Sequence, residues 1–509
     1  MSSIQENNKR IVRNTFVLYS RMFLLLAVSL YTSRVVLQTL GVEDFGIYNV
    51  VAGVVSFIGI FNGAMGSATS RYITYELGKG DKEQLHKTFC TCFEIYVLLG
   101  IVFTIFAETI GLWFLNTQMV IPKERMFAAN CIYQFTILSV INTFLVNPYN
   151  ACIISHEKMD IYAYLSIIEA LFKLAIIYIL WIVPYDRLVT YGLLNLLMSL
   201  VVTMIYRLYC INKFEECHLK IYKDYKLFRK LISFSGWTLW GAMAVMTKGQ
   251  GLNILLNIFF NPAVNASRGI AYQINMNIIK FGDNFYTAVR PQITKYYAQG
   301  DLTDMFNLVF RSSKLTYYLL LFISLPILIE TPFIINLWLG QLPEYVVDFT
   351  RLIIIISVVD CMAAPIMTTA NATGNIKLYQ ILMGLITISN IPISYILLKN
   401  GANPVCVFYV SLILACICYV TRVCIVKYLI PKFPILKFLQ QVTGIIVITT
   451  IAASIVPLLL HNILSNNVIN MVIVCLSALV STIFAIYFVG MNKAEKAFAM
   501  KLILKRIKK

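Results

Sequence analysis

Again and again this chain runs apolar for the thickness of a bilayer, and no other property narrows its fold as far. A spanning helix needs about 20 mostly apolar residues. About fourteen stretches meet that length: 13–40, 45–71, 88–116, 126–152, 160–183, 188–211, 231–260, 266–290, 309–337, 349–370, 377–398, 403–427, 435–460 and 468–490. Composition agrees. Hydrophobic residues make up 59% of the 509 and charged ones 13%, against roughly a quarter charged in soluble domains. Mean hydropathy is +0.76. The chain reads as an all-α integral membrane protein. Met1 to Arg13 is polar and basic, and the apolar run after it is longer than a signal-peptide core, so the first helix is expected to stay in the mature protein.

The net charge of +18 raises the question of nucleic acid, and the placement of the charges answers it. With the N-terminus inside, 31 of the 42 Lys and Arg residues fall in inner segments and six in outer loops. Five lie within helices: Arg21, Arg34, Lys173, Lys248 and Lys280. Such asymmetry sets orientation, so both termini are expected on the cytoplasmic side. The basic stretches 207–230 and 493–509 then face anionic lipid, and the apolar Phe498, Leu502 and Ile507 among lysines suit a surface helix. Membrane lipid, not nucleic acid, is the expected partner.

The chain also repeats itself. A turn at Leu40-Gly41-Val42-Glu43-Asp44-Phe45-Gly46-Ile47-Tyr48 leads into a helix with Gly53, Ser56, Gly59, Gly63, Gly66 and Ser67, then a tether, Gly78-Lys79-Gly80-Asp81. About 220 residues on, Ala298-Gln299-Gly300-Asp301 repeats the tether. At a similar offset Pro148 falls on Pro365 and Tyr162 on Tyr379. Duplicated halves are a transporter pattern, because rocking one against the other alternates access to a site between them. The expected organisation is a six-helix bundle at 1–211, a cytoplasmic linker at 212–230, a second bundle at 231–430, two further helices at 431–492 and a basic tail at 493–509.

Charged groups inside a membrane are costly and usually face a cavity or a partner. In the eighth span, Gln273, Asn277, Lys280 and Asn284 share one helical face, with Asp283 close enough to pair with Lys280. Such a stripe should line water or substrate. The seventh span carries Gln250, Asn253 and Asn257 with Lys248 next to Gly249 and near Gly251, glycines that serve equally well as hinge or packing points. Arg21 and Arg34 lie in the first span, where a cavity or snorkelling toward the interface accounts for either. The second span carries no charge. Asp360 has no partner nearby in sequence and suits either a coupling ion or a salt bridge. Glu169 and Lys173, at i and i+4, should neutralise each other.

Nothing points to catalysis. His86, His156, His218 and His461 are scattered, and no acid–base pair or nucleophile elbow is present. The twelve cysteines lie along apolar runs and no pair shows a metal-site spacing with histidine, so neither cofactor nor metal is expected. No large loop offers an acceptor site for a membrane polymerase or ligase.

The opening helix with its Arg, the turn at residues 40–48, the Gly-rich second helix and the fourteen-helix plan resemble the polysaccharide-biosynthesis branch of the multidrug/oligosaccharidyl-lipid/polysaccharide (MOP) exporter superfamily. Within it they are most similar to the Wzx-type flippases of O-antigen and capsule repeat units. The sharp motif covers residues 34–81. The resemblance implies a MATE-like transporter of two six-helix bundles around a cavity lined by spans one, two, seven and eight. It also implies undecaprenyl-pyrophosphate-linked oligosaccharide as substrate and a groove for its tail at spans thirteen and fourteen. Arg21, Arg34, Lys248, Gln273, Asn277, Lys280 and Asn284 would then meet substrate, with Asp283 and Asp360 in coupling or gating. Whether H+ or Na+ drives transport stays open, and a monomer is expected. The alternatives within the superfamily are a lipid II flippase and a multidrug antiporter, and the latter would want acidic rather than basic cavity residues.

Overall fold

The structure, a computed structural model, describes residues 2–56, 59–117, 119, 121–260, 262–340, 342–465, 467–493 and 495–497; the side chains of 2–9, 262 and most of 29–61 lie outside the description. Arg34 and the small residues Gly53, Ser56 and Gly59 are among those side chains, and most of the basic tail lies beyond the described residues. Every element described is helical. In order they are α1 (Ser2–Ser56), α2 (Gly59–Lys79), α3 (Lys82–Phe106), α4 (Leu112–Thr117), α5 (Met126–Ser155), α6 (Met159–Ile182), α7 (Arg187–Lys213), α8 (Tyr225–Phe259), α9 (Pro262–Gln299) and α10 (Leu302–Ile329). They continue with α11 (Thr331–Leu339), α12 (Val346–Met362), α13 (Ala364–Ala372), α14 (Lys377–Ile388), α15 (Asn390–Lys399), α16 (Cys406–Leu429), α17 (Ile435–Phe438), α18 (Ile445–Ile463) and α19 (Val468–Ala485).

Among the described residues, eleven helices are long and apolar enough to cross a membrane. The helices α2, α8 and α9 have the length but not the apolarity, because polar side chains interrupt them. These correspond to the second, seventh and eighth sequence runs, so fourteen crossings remain an expectation. The chain divides into two compact units. One holds residues up to Ala242 with Tyr297–Gly300, and the other holds Met243–Tyr296 and the chain from Asp301.

In the first unit, α5 is the centre, packing on α2, α3 and α7, while α1 packs on α6. Tyr149 anchors the core, its ring 5.5 Å from Phe89 and 6.1 Å from Phe93, with Ile73, Cys152, Leu165 and Tyr206 around it. In lipid, helices gain little from hydrophobic contact with each other, so close packing and interhelical hydrogen bonds carry the association. Thr74 donates to Ser155 Oγ at 2.9 Å, Ser155 donates to the Ser70 carbonyl at 3.1 Å, and Asn142 donates to Ser199 Oγ at 3.0 Å.

The signature turn is built as a backbone break with a cation over it. Gly41 interrupts α1 at φ 82, ψ 168, a conformation open to glycine alone. Just beyond it, Asp44 is gripped by the Arg125 fork: Nε donates to Oδ1 at 2.8 Å and Nη2 to Oδ2. The same guanidinium donates from Nη1 to Asp186 Oδ2 at 2.6 Å. Asp186 in turn caps α7, accepting from the Leu188 and Val189 backbone N–H at 2.9 and 3.1 Å. Three connections distant in sequence thus meet at one guanidinium.

The echoed tethers fold alike. Gly80 and Gly300 both sit at φ 77, and Asp81 and Asp301 each cap the next helix, accepting from Gln84 N and Asp304 N at 3.0 Å. The local copy extends to geometry, as a duplication requires.

In the second unit, Phe349 and Phe408 pack with ring centroids 4.6 Å apart beside Leu252, Leu256 and Val407. Several long helices are broken: α10 to α11 at Glu330, α12 to α13 at Ala363, and α14 to α15 at Ser389. Glu330 is buried and bound by His461 Nδ1 at 2.7 Å. The last long helices, α18 and α19, pack on each other, and their outer faces carry exposed Ile, Leu, Val and Phe. Lys314, buried in α10, reaches Glu495 at 2.9 Å and so ties α10 to the segment after α19.

Candidate functional site

The polar stripe of α9 exists as spaced. Gln273, Asn277 and Lys280 are exposed and Asn284 is half-buried. Asn277 Nδ2 donates to the Gln273 carbonyl at 3.1 Å, and Lys280 Nζ donates to Asn277 Oδ1 at 3.3 Å. The cation of the stripe is thus met by one amide oxygen, that of Asn277. The expected Lys280–Asp283 pair is corrected: among the described residues no ion pair joins them, and the charge nearest to Asp283 in effect is Arg290. Asn277 and Asp283 lie equally far from Lys280 in sequence, one turn to either side, and the ammonium turns to the amide of Asn277.

Lys248, half-buried in α8, lies within electrostatic reach of Asp360, Cys418 and Arg268. Asp360 finds its partner 62 residues away, in Arg422 of α16 at 3.0 Å. The salt bridge expected with a cavity lysine is made with an arginine instead, and an ion pair of this kind leaves the coupling role open. Arg268, counted with the outer loops although it lies three residues into the 266–290 run, belongs to α9 and bridges back to α8. Its Nη2 donates to the Gly249 carbonyl at 2.7 Å and Nη1 to Asn253 Oδ1 at 3.3 Å, and its cation lies 4.7 Å from the Tyr272 ring. The two glycines beside Lys248 also separate. A Cβ at Gly251 would meet Ile391 Cδ1 at 2.5 Å, which makes it a packing position, whereas Gly249 has open space.

In the first unit, the Arg21 guanidinium lies over the Tyr162 ring at 4.4 Å, held by an aromatic face on α6. The expectation that the second helix carries no charge is corrected. The helix α2 runs on to Lys79, and Arg71 within it is 8% exposed, 4.3 Å from the Tyr72 ring and 4.7 Å from Tyr75. Aromatic faces on its own helix let a buried cation persist there, a context that hydropathy averaging hides.

A second cluster escapes sequence reasoning. Metal-site spacing rules pick out no cysteine–histidine pair, yet Cys152 and His156 stand four apart at the end of α5. With Glu216 they bring one ligand atom each within 4.8 Å of one another. His156 Nε2 lies 2.5 Å from Glu216 Oε1, Cys152 Sγ 3.5 Å from the same oxygen, and Cys217 Sγ 3.7 Å from Cys152 Sγ. The His156 ring stacks on Phe214 at 4.1 Å. Burial pushes the Glu216 carboxyl up, but the His156 ring and a backbone N–H outweigh it and hold the carboxyl below the usual range. His156 and Glu216 open onto a cleft of about 540 Å³, lined also by Asp81, Lys82, Glu83 and Lys213. The signal in the sequence is a helical C-x₃-H whose partners arrive 60 residues later.

One further feature lies in the second unit. Ala452, Val456, Val480, Phe484 and Phe488 line an apolar groove of about 450 Å³ between α18 and α19.

This architecture is that of a multi-pass membrane protein with the fold of the MATE transporters. It superposes on a MATE transporter in the bent conformation with a TM-score of 0.72 at 14% identity, covering 84% of this chain and 97% of that one. An outward-facing MATE-family multidrug resistance transporter of the MOP superfamily gives 0.70 at 15% identity, over 83% and 97%. A MOP superfamily transporter from Pyrococcus furiosus, whose binding pocket of reverse polarity suggests a different function, gives 0.65 at 15%, over 83% and 96%. No curated protein matches the sequence. The family model for polysaccharide biosynthesis proteins matches residues 11–296, more than half of the chain. The protein belongs to that family.

Proposed function

We propose that this protein flips undecaprenyl-pyrophosphate-linked oligosaccharide repeat units from the cytoplasmic to the outer leaflet by alternating access, for O-antigen or capsule assembly. It acts as a transporter rather than an enzyme, in the bacterial inner membrane with both termini in the cytoplasm. The observation that carries this reading is the exposed stripe Gln273–Asn277–Lys280 on a helix too polar to face lipid, in a chain of the polysaccharide-biosynthesis family.

A diphosphate cannot cross hydrocarbon bare. Lys280 and Lys248 supply donors for its oxygens through charge-assisted hydrogen bonds, with Arg34 assigned the same role from sequence. The amides of Gln273, Asn277 and Asn284 suit sugar hydroxyls. The groove between α18 and α19 takes the prenyl tail, its lining mostly apolar apart from Ser477 and Ser481. The Asp360–Arg422 pair sits within electrostatic reach of Lys248, where H+ or Na+ exchanging with the arginine would alter the cation's field. A basic stripe is also a reversal of polarity relative to a site for cationic drugs, which supports the flippase over the antiporter.

The test is depletion of the protein followed by mass spectrometry of lipid-linked glycans. Inner-leaflet accumulation of an undecaprenyl-pyrophosphate oligosaccharide with loss of surface polysaccharide is the expected result, and the lipid identifies the glycan. Unchanged surface glycan with new sensitivity to cationic drugs would overturn the proposal in favour of the antiporter.

A further inference from the structure

We infer that Cys152, His156 and Glu216 form the core of a site for one divalent transition-metal ion of the zinc class, with Cys217, whose Sγ lies 3.7 Å from Cys152 Sγ but outside that three-way cluster, turning in as the fourth donor. The donor set is the first ground. Two thiols, an imidazole and a carboxylate select a borderline-soft ion such as Zn²⁺, whereas Ca²⁺ and Mg²⁺ demand oxygen.

The spacing is the second. A tetrahedral ion about 2.3 Å from sulfur and about 2.0–2.2 Å from nitrogen or oxygen puts neighbouring ligand atoms roughly 3.3–3.8 Å apart. Two edges already have that length: Cys152 Sγ to Cys217 Sγ at 3.7 Å and Cys152 Sγ to Glu216 Oε1 at 3.5 Å. A disulfide would need its sulfurs at about 2.05 Å, and both cysteines are free. The edge from His156 Nε2 to Glu216 Oε1, at 2.5 Å, is a direct hydrogen bond. It opens by roughly 0.8 Å to admit the ion, which a rotation of the carboxylate supplies.

The surroundings fit a structural site. Cys152 and Cys217 are fully buried and Glu216 nearly so, while His156 is part-exposed on the cleft, which provides an entry path. Phe214 stacked on the imidazole fixes the ring plane. The His156 backbone N–H is engaged with the Cys152 carbonyl at 2.9 Å, so the last helical turn presents both side chains together. The ion would join the end of α5 to the segment after α7, as a staple across about 60 residues of chain. Binding releases the thiol protons to solvent and, because the unfolded chain lacks the site, adds its free energy to folding.

Cys210 is the internal control. It is buried in the same core and neighbours Cys217, but its Sγ approaches the Tyr149 carbonyl at 3.7 Å and is not one of the proposed ligands.

The experiment uses the full chain in detergent, stripped with a chelator under reducing conditions and titrated with Co²⁺ as a spectroscopic probe. One Co²⁺ per chain with thiolate-to-metal charge-transfer absorption is expected, displaced by an equivalent of Zn²⁺. Cys152→Ser and His156→Gln should each weaken binding more than about 100-fold, beyond the loss typical of outer-shell changes, while Cys210→Ser keeps it. Glutamine preserves a hydrogen bond to Glu216, so His156→Gln separates metal binding from folding if Cys152→Ser does not accumulate. Absence of the charge-transfer band, parent-like binding in both variants, or equal loss in Cys210→Ser would each overturn the inference and leave a hydrogen-bonded core.

Discussion

Removing the Arg125 side chain should loosen the first unit at the signature turn. Arg125 makes two bonds to Asp44 and one to Asp186, with side chains 26%, 17% and 37% exposed respectively. A hydrogen bond involving charge contributes about 1.5–3 kcal/mol, and a fully buried pair broken on one side costs about 3–5 kcal/mol. Partial exposure screens these values, and the three bonds share one cation, so they do not add. We therefore expect Arg125→Ala to cost about 2–3 kcal/mol, and Arg125→Lys about half as much because the charge stays while the fork is lost. For a unit of roughly this size, 1 kcal/mol corresponds to about 2–4 °C, so the apparent Tm in detergent should fall by about 4–12 °C.

The decisive assay is a double-mutant cycle with Asp44→Asn, followed by thermal unfolding of each purified protein. Coupling above about 1 kcal/mol is expected. Additivity within about 0.5 kcal/mol, the behaviour of independent sites, would refute the clamp. The pH dependence has a fixed sign. Burial raises the Asp186 carboxyl, but the Val189 and Leu188 N–H groups and Arg125 outweigh it and hold the group below its ordinary value. A depressed carboxylate stabilises above the unfolded pKa of about 3.9 and loses that stabilisation as pH falls through the folded value. Acid sensitivity should therefore begin below about pH 4, and Arg125→Ala should reduce it.

Other substitutions test other parts. Gly41→Ala meets no neighbour within 4 Å, so its cost is the backbone alone, about 1–3 kcal/mol at φ 82; an unchanged Tm would show that the break relaxes freely. Lys280→Ala removes an exposed cation and should leave expression and Tm intact while cutting flipping roughly 10- to 100-fold, the worth of a charge-assisted bond. Transport at the parent rate would remove Lys280 from the substrate path. On the proposed coupling role, Asp360→Asn should uncouple transport from an imposed H+ or Na+ gradient, and the swap Asp360→Arg with Arg422→Asp should restore stability without restoring coupling. Full transport in the swapped protein would make the pair a structural one.

Much of this arrangement is legible in the sequence because membrane helices obey local rules. The α9 stripe stands at its expected spacing, Glu169 and Lys173 meet at 2.8 Å, and the tethers Gly80-Asp81 and Gly300-Asp301 share one backbone geometry and one cap. Local reasoning fails where composition is averaged over a window. Averaging leaves Arg71 at the edge of a span that in fact continues to Lys79 and starts the eighth run at 266, so that Arg268, in the second turn of α9, is counted with the outer loops. The Lys280–Asp283 pairing fails for a different reason, since spacing brings groups near without choosing between neighbouring acceptors.

Hydropathy, backbone satisfaction and capping act over a few turns, and they are enough to set the solvent in which this chain folds, its helical answer to that solvent and the duplicated tethers. The broad family is legible at the same level, from the motif at residues 34–81. Helix packing settles the rest: that Asp44, Arg125 and Asp186 share one guanidinium, that Asp360 belongs to Arg422, and that Cys152 and His156 meet Glu216 and Cys217. These contacts join groups roughly 60 to 80 residues apart, and no local period encodes which distant charge or thiol will arrive opposite a given side chain when helices pack.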